Sequence, residues 1–169
     1  MTISADPARA ARVRPSAAFM RKKLSRWIAL GFGSGLSPVA PGTIGTLWAW
    51  VAWLAFAPWL PVWGRLALIG LGFVVGIWAC GRTADALGVH DHGGIVWDEV
   101  VAFWLVLAFL PAGFAAQCAA FLLFRFFDIV KPPPIRQLDR GVAGGFGIML
   151  DDLLAAFYTL LVMALWRAW

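Results

Sequence analysis

Trp97-Asp98-Glu99-Val100-Val101-Ala102-Phe103-Trp104-Leu105-Val106-Leu107-Ala108-Phe109-Leu110 sets two adjacent carboxylates at the head of an unbroken apolar run, which Pro111 stops. Carboxylates beside a lipid-like environment are costly unless something balances their charge. The arrangement recurs: Asp151-Asp152 stands before Leu153 to Trp166, and Asp128 follows the run Ala112 to Phe127. Eight of the nine acidic residues lie between Asp85 and Asp152. Each adjacent pair repels itself unless a cation sits between the two groups. The simplest such cation is a hard divalent metal, which prefers oxygen ligands. The stretch therefore predicts apolar helices that carry acids at their ends, and a metal site at a membrane face.

Composition agrees with the membrane reading. The chain has 169 residues, enough for one domain, and is 62% hydrophobic and 14% charged, against about 45–50% and about 25% in soluble domains. Eleven Trp and thirteen Phe add to the excess. A soluble protein of this size could not hide so much apolar surface. Cys80 and Cys118 lie within apolar runs, without metal-type spacing, and read as packing residues.

Five apolar runs are expected to form helices: Leu47 to Leu60, Leu66 to Cys80, Val100 to Leu110, Ala112 to Phe127 and Leu153 to Trp166. The fold class is all-α, an integral membrane bundle of about four to five apolar helices joined by Gly/Pro-rich loops. Several runs fall short of the roughly 20 residues that span a bilayer, so some are short or tilted spans or part of a shallow hairpin. Residues 1–26 read as a basic cytoplasmic tail, partly disordered, and 27–169 as the membrane domain. The tail holds seven of the fourteen Lys and Arg, which suits an anionic leaflet better than a nucleic-acid partner. With a cytoplasmic N-terminus and five crossings, twelve basic residues fall on the cytoplasmic side. Only Arg65 and Arg167 fall opposite. That is a positive-inside asymmetry, and the same topology puts every acid on the cytoplasmic side.

Four constellations carry candidate chemistry, and each has a plainer alternative. Asp98 and Glu99 open a helix, where acids also serve the macrodipole. His90 and His92 flank Asp91, but two histidines without nearby cysteine fit solvent-exposed loop residues better than zinc ligands. Arg125, Asp128 and Lys131 recur every three residues, so they share a helical face until Pro132-Pro133-Pro134 ends it. They read as a metal ligand between phosphate-clamping cations, or as a salt-bridged helix end with snorkelling side chains. Gly144-Gly145-Phe146-Gly147 leads into Asp151-Asp152 at the head of the last apolar run. In Gly31 to Thr46, the density of Gly and Pro forbids a regular helix. That stretch forms either an anion-cradling loop using Ser34 and Thr43 or a tight membrane-entry turn. Three acid stations on three helices point to a shared ion, and with basic residues nearby to metal-assisted phosphate-ester hydrolysis. A transport protein would need a mid-helix carboxylate, which none of the five runs has; a lipid-binding scaffold would not need three acid stations.

Gly31-Phe32-Gly33-Ser34-Gly35-Leu36-Ser37-Pro38, Pro41-Gly42-Thr43, His90 through Glu99, Arg125-Phe126-Phe127-Asp128, Lys131-Pro132, Pro134-Ile135-Arg136, Asp139-Arg140 and Gly144 through Asp152 stand in an order that resembles the phosphatidylglycerophosphatase A family. The resemblance runs from about residue 31 to residue 160. It implies an all-helical, magnesium-dependent phosphatase of the bacterial inner membrane, multi-pass, with its site facing the cytoplasm. Its reaction would convert the phospholipid phosphatidylglycerol phosphate to phosphatidylglycerol and inorganic phosphate. Asp98, Glu99, Asp128, Asp151 and Asp152 would hold one or two Mg2+ ions, while Arg125, Lys131 and Arg136 grip phosphate. Water, or one of the carboxylates, would attack phosphorus. Pro133, Ala102 and Ala156 depart from the family pattern and leave all five acids in place.

Overall fold

The computed structural model describes residues 14–89, 92–111 and 113–168, without the side chains of 138–140 and 168. His90 and Asp91, the side chains of Asp139 and Arg140, and the first half of the basic tail lie outside the described residues. The described chain is all helical, with no strand. Helices α1 (Ala17–Arg21) and α2 (Leu24–Ala29) precede a 3-10 turn, Gly31–Leu36. Then come α3 (Pro41–Phe56), a short 3-10 turn Ala57–Trp59, α4 (Val62–Leu87), α5 (Trp97–Phe109), α6 (Phe114–Val130), α7 (Ile135–Gly141) and α8 (Gly144–Ala168).

Each expected apolar run holds a helix; α3, α4, α5 and α8 begin before their runs, while the first run ends in the 3-10 turn Ala57–Trp59. Pro41 occupies the first position of α3, where its missing N–H costs nothing. The expected loop thus ends at Ala40, and Gly42 to Thr46 are helical. The same happens at α8, which begins at Gly144. Asp151 and Asp152 therefore lie two turns inside a helix rather than at its head, where no capping role is open to them. Their glycines explain the misreading: a Cβ on Gly145 would meet the Ile77 carbonyl oxygen of α4 at 1.8 Å. Small residues here permit close helix contact, as in membrane bundles, and mimic loop composition.

The α5 helix forms the centre. Its residues Trp97 to Trp104, Val106 and Leu107 are buried, and α3, α4, α6 and α8 pack around it. The Trp97 indole donates to the Gly72 carbonyl of α4 (3.0 Å), and that of Trp104 to the Ala49 carbonyl of α3 (2.9 Å). The outer helices reverse the soluble pattern. On α4, Gly72, Gly76 and Ala79 face inward, while Trp63, Leu66, Leu71, Val74 and Trp78 are exposed. On α3, Gly42, Gly45 and Ala49 face inward, while Ile44, Leu47, Val51 and Leu54 are exposed. Such outward stripes suit lipid rather than water. Two helices, α4 and α8, are long and apolar enough to cross a membrane. At 1.5 Å per residue, α5 is only about 20 Å long, but its neighbours bury it from Trp97 to Trp104. Cys80 is buried, with its Sγ 4.0 Å from the Met149 sulfur, as a packing residue should be.

Candidate functional site

Consecutive helices run in opposite directions through short turns. The start of α3, the end of α4, the start of α5, the end of α6 and the start of α8 therefore gather at one end. The acids converge there. Asp98 and Glu99 occupy the first turn of α5, Asp128 the last turn of α6, and Asp151 and Asp152 the third turn of α8. Asp98, Glu99, Asp151 and Asp152 are all buried. Glu99 reaches across to Arg125 of α6, so the pair does more than serve the N-terminus of its own helix.

Arg125 ties two stations together. Its Nη1 lies 2.9 Å from Glu99 Oε1 and 2.7 Å from Asp128 Oδ2, and also donates to Thr46 Oγ1 at 3.4 Å. Lys131 reaches the third station, where its Nζ pairs with Asp151 Oδ2. It does so from beyond the helix, which corrects the expected shared face. Lys131 caps α6 in the left-handed conformation (φ 45°, ψ 64°) one residue before the prolines, and this reversal turns the ammonium toward α8.

One oxygen each from Glu99, Asp128 and Asp152 lies within 4.8 Å of the others. Asp98, Asp128, Asp151 and Glu99 all act on Asp152 as like charges. Among the described residues, five carboxylates gather around two cations, Arg125 and Lys131, so acids outnumber bases in the cluster. Two buried atoms report the same imbalance. Among the described residues, Asp152 Oδ2 has no hydrogen-bond donor and Arg125 Nε has no acceptor. Buried polar atoms rarely stay unsatisfied. An all-oxygen donor set with a bare oxygen fits a hard divalent cation. A bare guanidinium N–H beside it fits an oxyanion.

The glycines of α3 make room for this arrangement. A Cβ on Gly42 would lie 2.0 Å from Glu99 Oε1 and 2.9 Å from Arg125 Nη2. Glu99 thus sits against the first turn of α3, whose unpaired N–H groups are electropositive. Gly42 and Thr46 were missed as site residues. Their signal lay in the helix that starts at Pro41, because 42, 45, 46, 49 and 53 then form one buried face. Thr43, one residue off that face, is not joined to the acids by any bond among the described residues. Ser34 spends its hydroxyl on the Gly31 carbonyl (2.8 Å). Arg136 is exposed and donates to the Val130 carbonyl at 3.3 Å rather than entering the cluster. His92 is buried, not solvent-exposed, because its Nδ1 accepts the Gly94 N–H at 3.0 Å and closes the loop before α5.

The profile of the family described as phosphatidylglycerophosphatase A matches residues 27–167. A phosphatidylglycerophosphatase A of Haemophilus influenzae is 46% identical over 143 residues, covering 84% of this chain and 88% of that protein. One of Escherichia coli is 46% identical over 132 residues, covering 76% and 74%. A Bacteroides thetaiotaomicron protein, named as a candidate phosphatidylinositol-3-phosphatase, is 41% identical over 147 residues, covering 83% and 91%. No solved structure matches the chain significantly.

Proposed function

The chain belongs to the phosphatidylglycerophosphatase A family, and from that premise we propose that it is a magnesium-dependent enzyme of the bacterial inner membrane. It removes the terminal phosphate of phosphatidylglycerol phosphate at the cytoplasmic face. The observation that carries this reading is the pair of unsatisfied buried atoms, Asp152 Oδ2 and Arg125 Nε, within one cluster. The first asks for a cation and the second for an anion, and a magnesium ion with a phosphomonoester answers both.

Glu99, Asp128 and Asp152 would hold the ion, with Asp98 and Asp151 completing the acidic shell. When bound, magnesium supplies Lewis-acid stabilisation of the charge on the phosphoryl oxygens. Arg125 is fixed by Glu99 and Asp128, so its remaining N–H groups meet the phosphate without losing side-chain entropy on binding. Lys131 neutralises Asp151 and brings a second positive charge to the rim. Burial of four of the acids lowers the local dielectric and strengthens each of these interactions. No Cys or His in the described cluster offers a nucleophile, which favours direct attack by water.

Five crossings account for the arrangement. The exposed apolar stripes of α3, α4, α6 and α8 meet lipid, and α5 sits inside the ring they form. The acid-bearing end faces the cytoplasm by the positive-inside asymmetry. The decisive assay is phosphate release from phosphatidylglycerol phosphate by purified protein in mixed micelles, with magnesium and with chelator. Magnesium-dependent release is expected, with slower turnover of phosphatidic acid and phosphatidylinositol 3-phosphate. Release that is unaffected by chelator would remove the metal from the mechanism. No release from folded, magnesium-replete protein would refute the activity.

A further inference from the structure

A polar cavity of about 440 Å³ lies between α2 and α4 on the flank of the acid-bearing end, outside the acid cluster. Lys23, Ser25, Arg26, Trp78, Arg82 and Asp85 line it. Three cations face one carboxylate. Arg26 is held in place: it donates to the Phe19 carbonyl at 3.2 Å and lies over the Phe19 ring at 3.9 Å. Lys23 and Arg82 are exposed, and neither forms an ion pair with another described residue. One large apolar side chain in the lining, Trp78, is 46% exposed.

The position of the cavity along α4 identifies what lies beside it. Trp63, Leu66, Leu71, Val74 and Trp78 form the outward stripe of that helix, and Arg82 follows one turn later. At 1.5 Å per residue, Arg65 and Arg82 are about 26 Å apart along the axis, close to the thickness of a hydrocarbon core of about 30 Å. Trp78 then sits at the boundary that tryptophan favours, and Lys23 and Arg82 sit at headgroup depth. Basic pockets at this depth between helices suit lipid phosphate.

We propose that this cavity binds the phosphate of an anionic phospholipid headgroup, as a lipid site separate from the acid cluster. Lys23 and Arg82 grip the phosphate, Trp78 lies along the glycerol and first acyl carbons, and Asp85 accepts from a headgroup hydroxyl or amine. The site docks α2 against the membrane beside the active end. It rests on the proposed membrane orientation and not on the chemistry of the acid cluster.

The test is equilibrium binding of labelled phosphatidylserine to delipidated full-length protein in neutral detergent micelles at low salt. Phosphatidylcholine serves as the zwitterionic control. Wild type should prefer phosphatidylserine at least about tenfold, from two cations at headgroup depth. Lys23→Gln with Arg82→Gln should abolish the preference, while Lys23→Arg with Arg82→Lys keeps it at equal helicity. Asp152→Asn should also keep it. Undiminished preference in the glutamine variant, or equal binding of both lipids by wild type, would overturn the site. Displacement by millimolar inorganic phosphate would reassign the cavity to a soluble anion and overturn the lipid. Loss of binding in Asp152→Asn would move the probe to the acid cluster, with the same consequence. Turnover of phosphatidylglycerol phosphate is measured on the same preparations, so absent turnover with intact lipid binding counts against the proposed function alone.

Discussion

The two ends of the bundle are made of opposite materials. At the acid end, five carboxylates converge on two cations, and the backbone is forced to fit: Ala40 and Lys131 both take left-handed conformations beside the site. At the far end, where α3 meets α4, α5 meets α6 and α8 finishes, Trp59, Trp63, Phe109, Phe114 and Trp166 are exposed. Acidic residues are absent from that end among the described residues. Its Arg65 is occupied locally, donating to the Ala57 and Leu60 carbonyls at 2.9 and 3.0 Å. One end therefore concentrates carboxylates in excess of the described cations, an arrangement that suits a cationic ligand. The other presents amphipathic rings that suit a membrane interface and need no partner. If that contrast is right, substitutions at the two ends should differ in kind as well as in size.

The largest effect should come from Asp152→Asn. Loss of a carboxylate from the proposed ion site should cut kcat by about 10³-fold, the scale of a lost electrostatic contact to a transition state. Stability should move in opposite directions with and without metal. In chelator, the variant has one fewer like charge among Asp98, Glu99, Asp128 and Asp151 and should melt higher than wild type. In saturating magnesium it should melt lower. Melting curves in both buffers, together with phosphate release, check this. A variant with wild-type turnover would remove Asp152 from the site.

Gly42→Ala should come next. Inside a helix, alanine is favoured over glycine by about 1 kcal/mol. Here the new Cβ would lie 2.0 Å from Glu99 Oε1, and overpacking costs about 1–3 kcal/mol. The clash wins, so stability should fall, and turnover should drop about tenfold or more as Glu99 and Arg125 shift. Gly70→Ala is the matched control. It lies within α4 with nothing inside 4 Å of its Cβ position, so it should stabilise by up to about 1 kcal/mol and leave turnover unchanged. If both glycines behave alike in denaturation and turnover assays, close approach at Gly42 is not what shapes the site.

These contrasts also explain what could be read from the sequence. Acids beside apolar runs are legible because burial of charge is expensive, and all three acid stations did converge. Helix starts were less legible. Gly42 and Gly45 read as loop, and Gly145 and Gly147 as the approach to the last helix, yet each lies in a helix. Gly42, Gly45 and Gly145 pack closely against neighbouring elements, and a Cβ on Gly147 would meet the preceding Val142 carbonyl. A one-dimensional reading cannot separate a glycine that bends the chain from one that admits a neighbour. For the same reason Thr46 was not legible beside Thr43: the phase of α3 is set at Pro41, and only a known start assigns 42 and 46 to the inward face. The regular spacing of Arg125, Asp128 and Lys131 was informative for the first two. The third depends on a left-handed residue that spacing does not encode.

Lys131→Gln should have an intermediate effect. It removes the ammonium that pairs with the buried Asp151 carboxylate, and weakening the compensation of a buried charge is costly. Turnover should fall about tenfold, with a larger loss at low magnesium because bound ion would take over part of the neutralisation. Equal losses at all magnesium concentrations would assign Lys131 to the substrate alone. The measurement is a magnesium titration of phosphate release.

The smallest effect should be that of Trp63→Ala at the far end. Trp63 is 74% exposed and lies near the start of α4, where the aromatic residues collect. Its loss removes apolar surface from lipid contact rather than from a core, so no cavity forms and no buried group loses a partner. Turnover in micelles should change less than about twofold, because surface changes away from such features usually stay within about 0.5 kcal/mol. A consequence should appear only in a bilayer, as weaker retention of the protein after alkaline extraction when Trp59→Ala is added. A strong loss of turnover in micelles from Trp63→Ala would mean that the far end is coupled to the acid cluster through α4. The contrast between a catalytic end and an anchoring end would then be wrong, because the same helix would be transmitting between them.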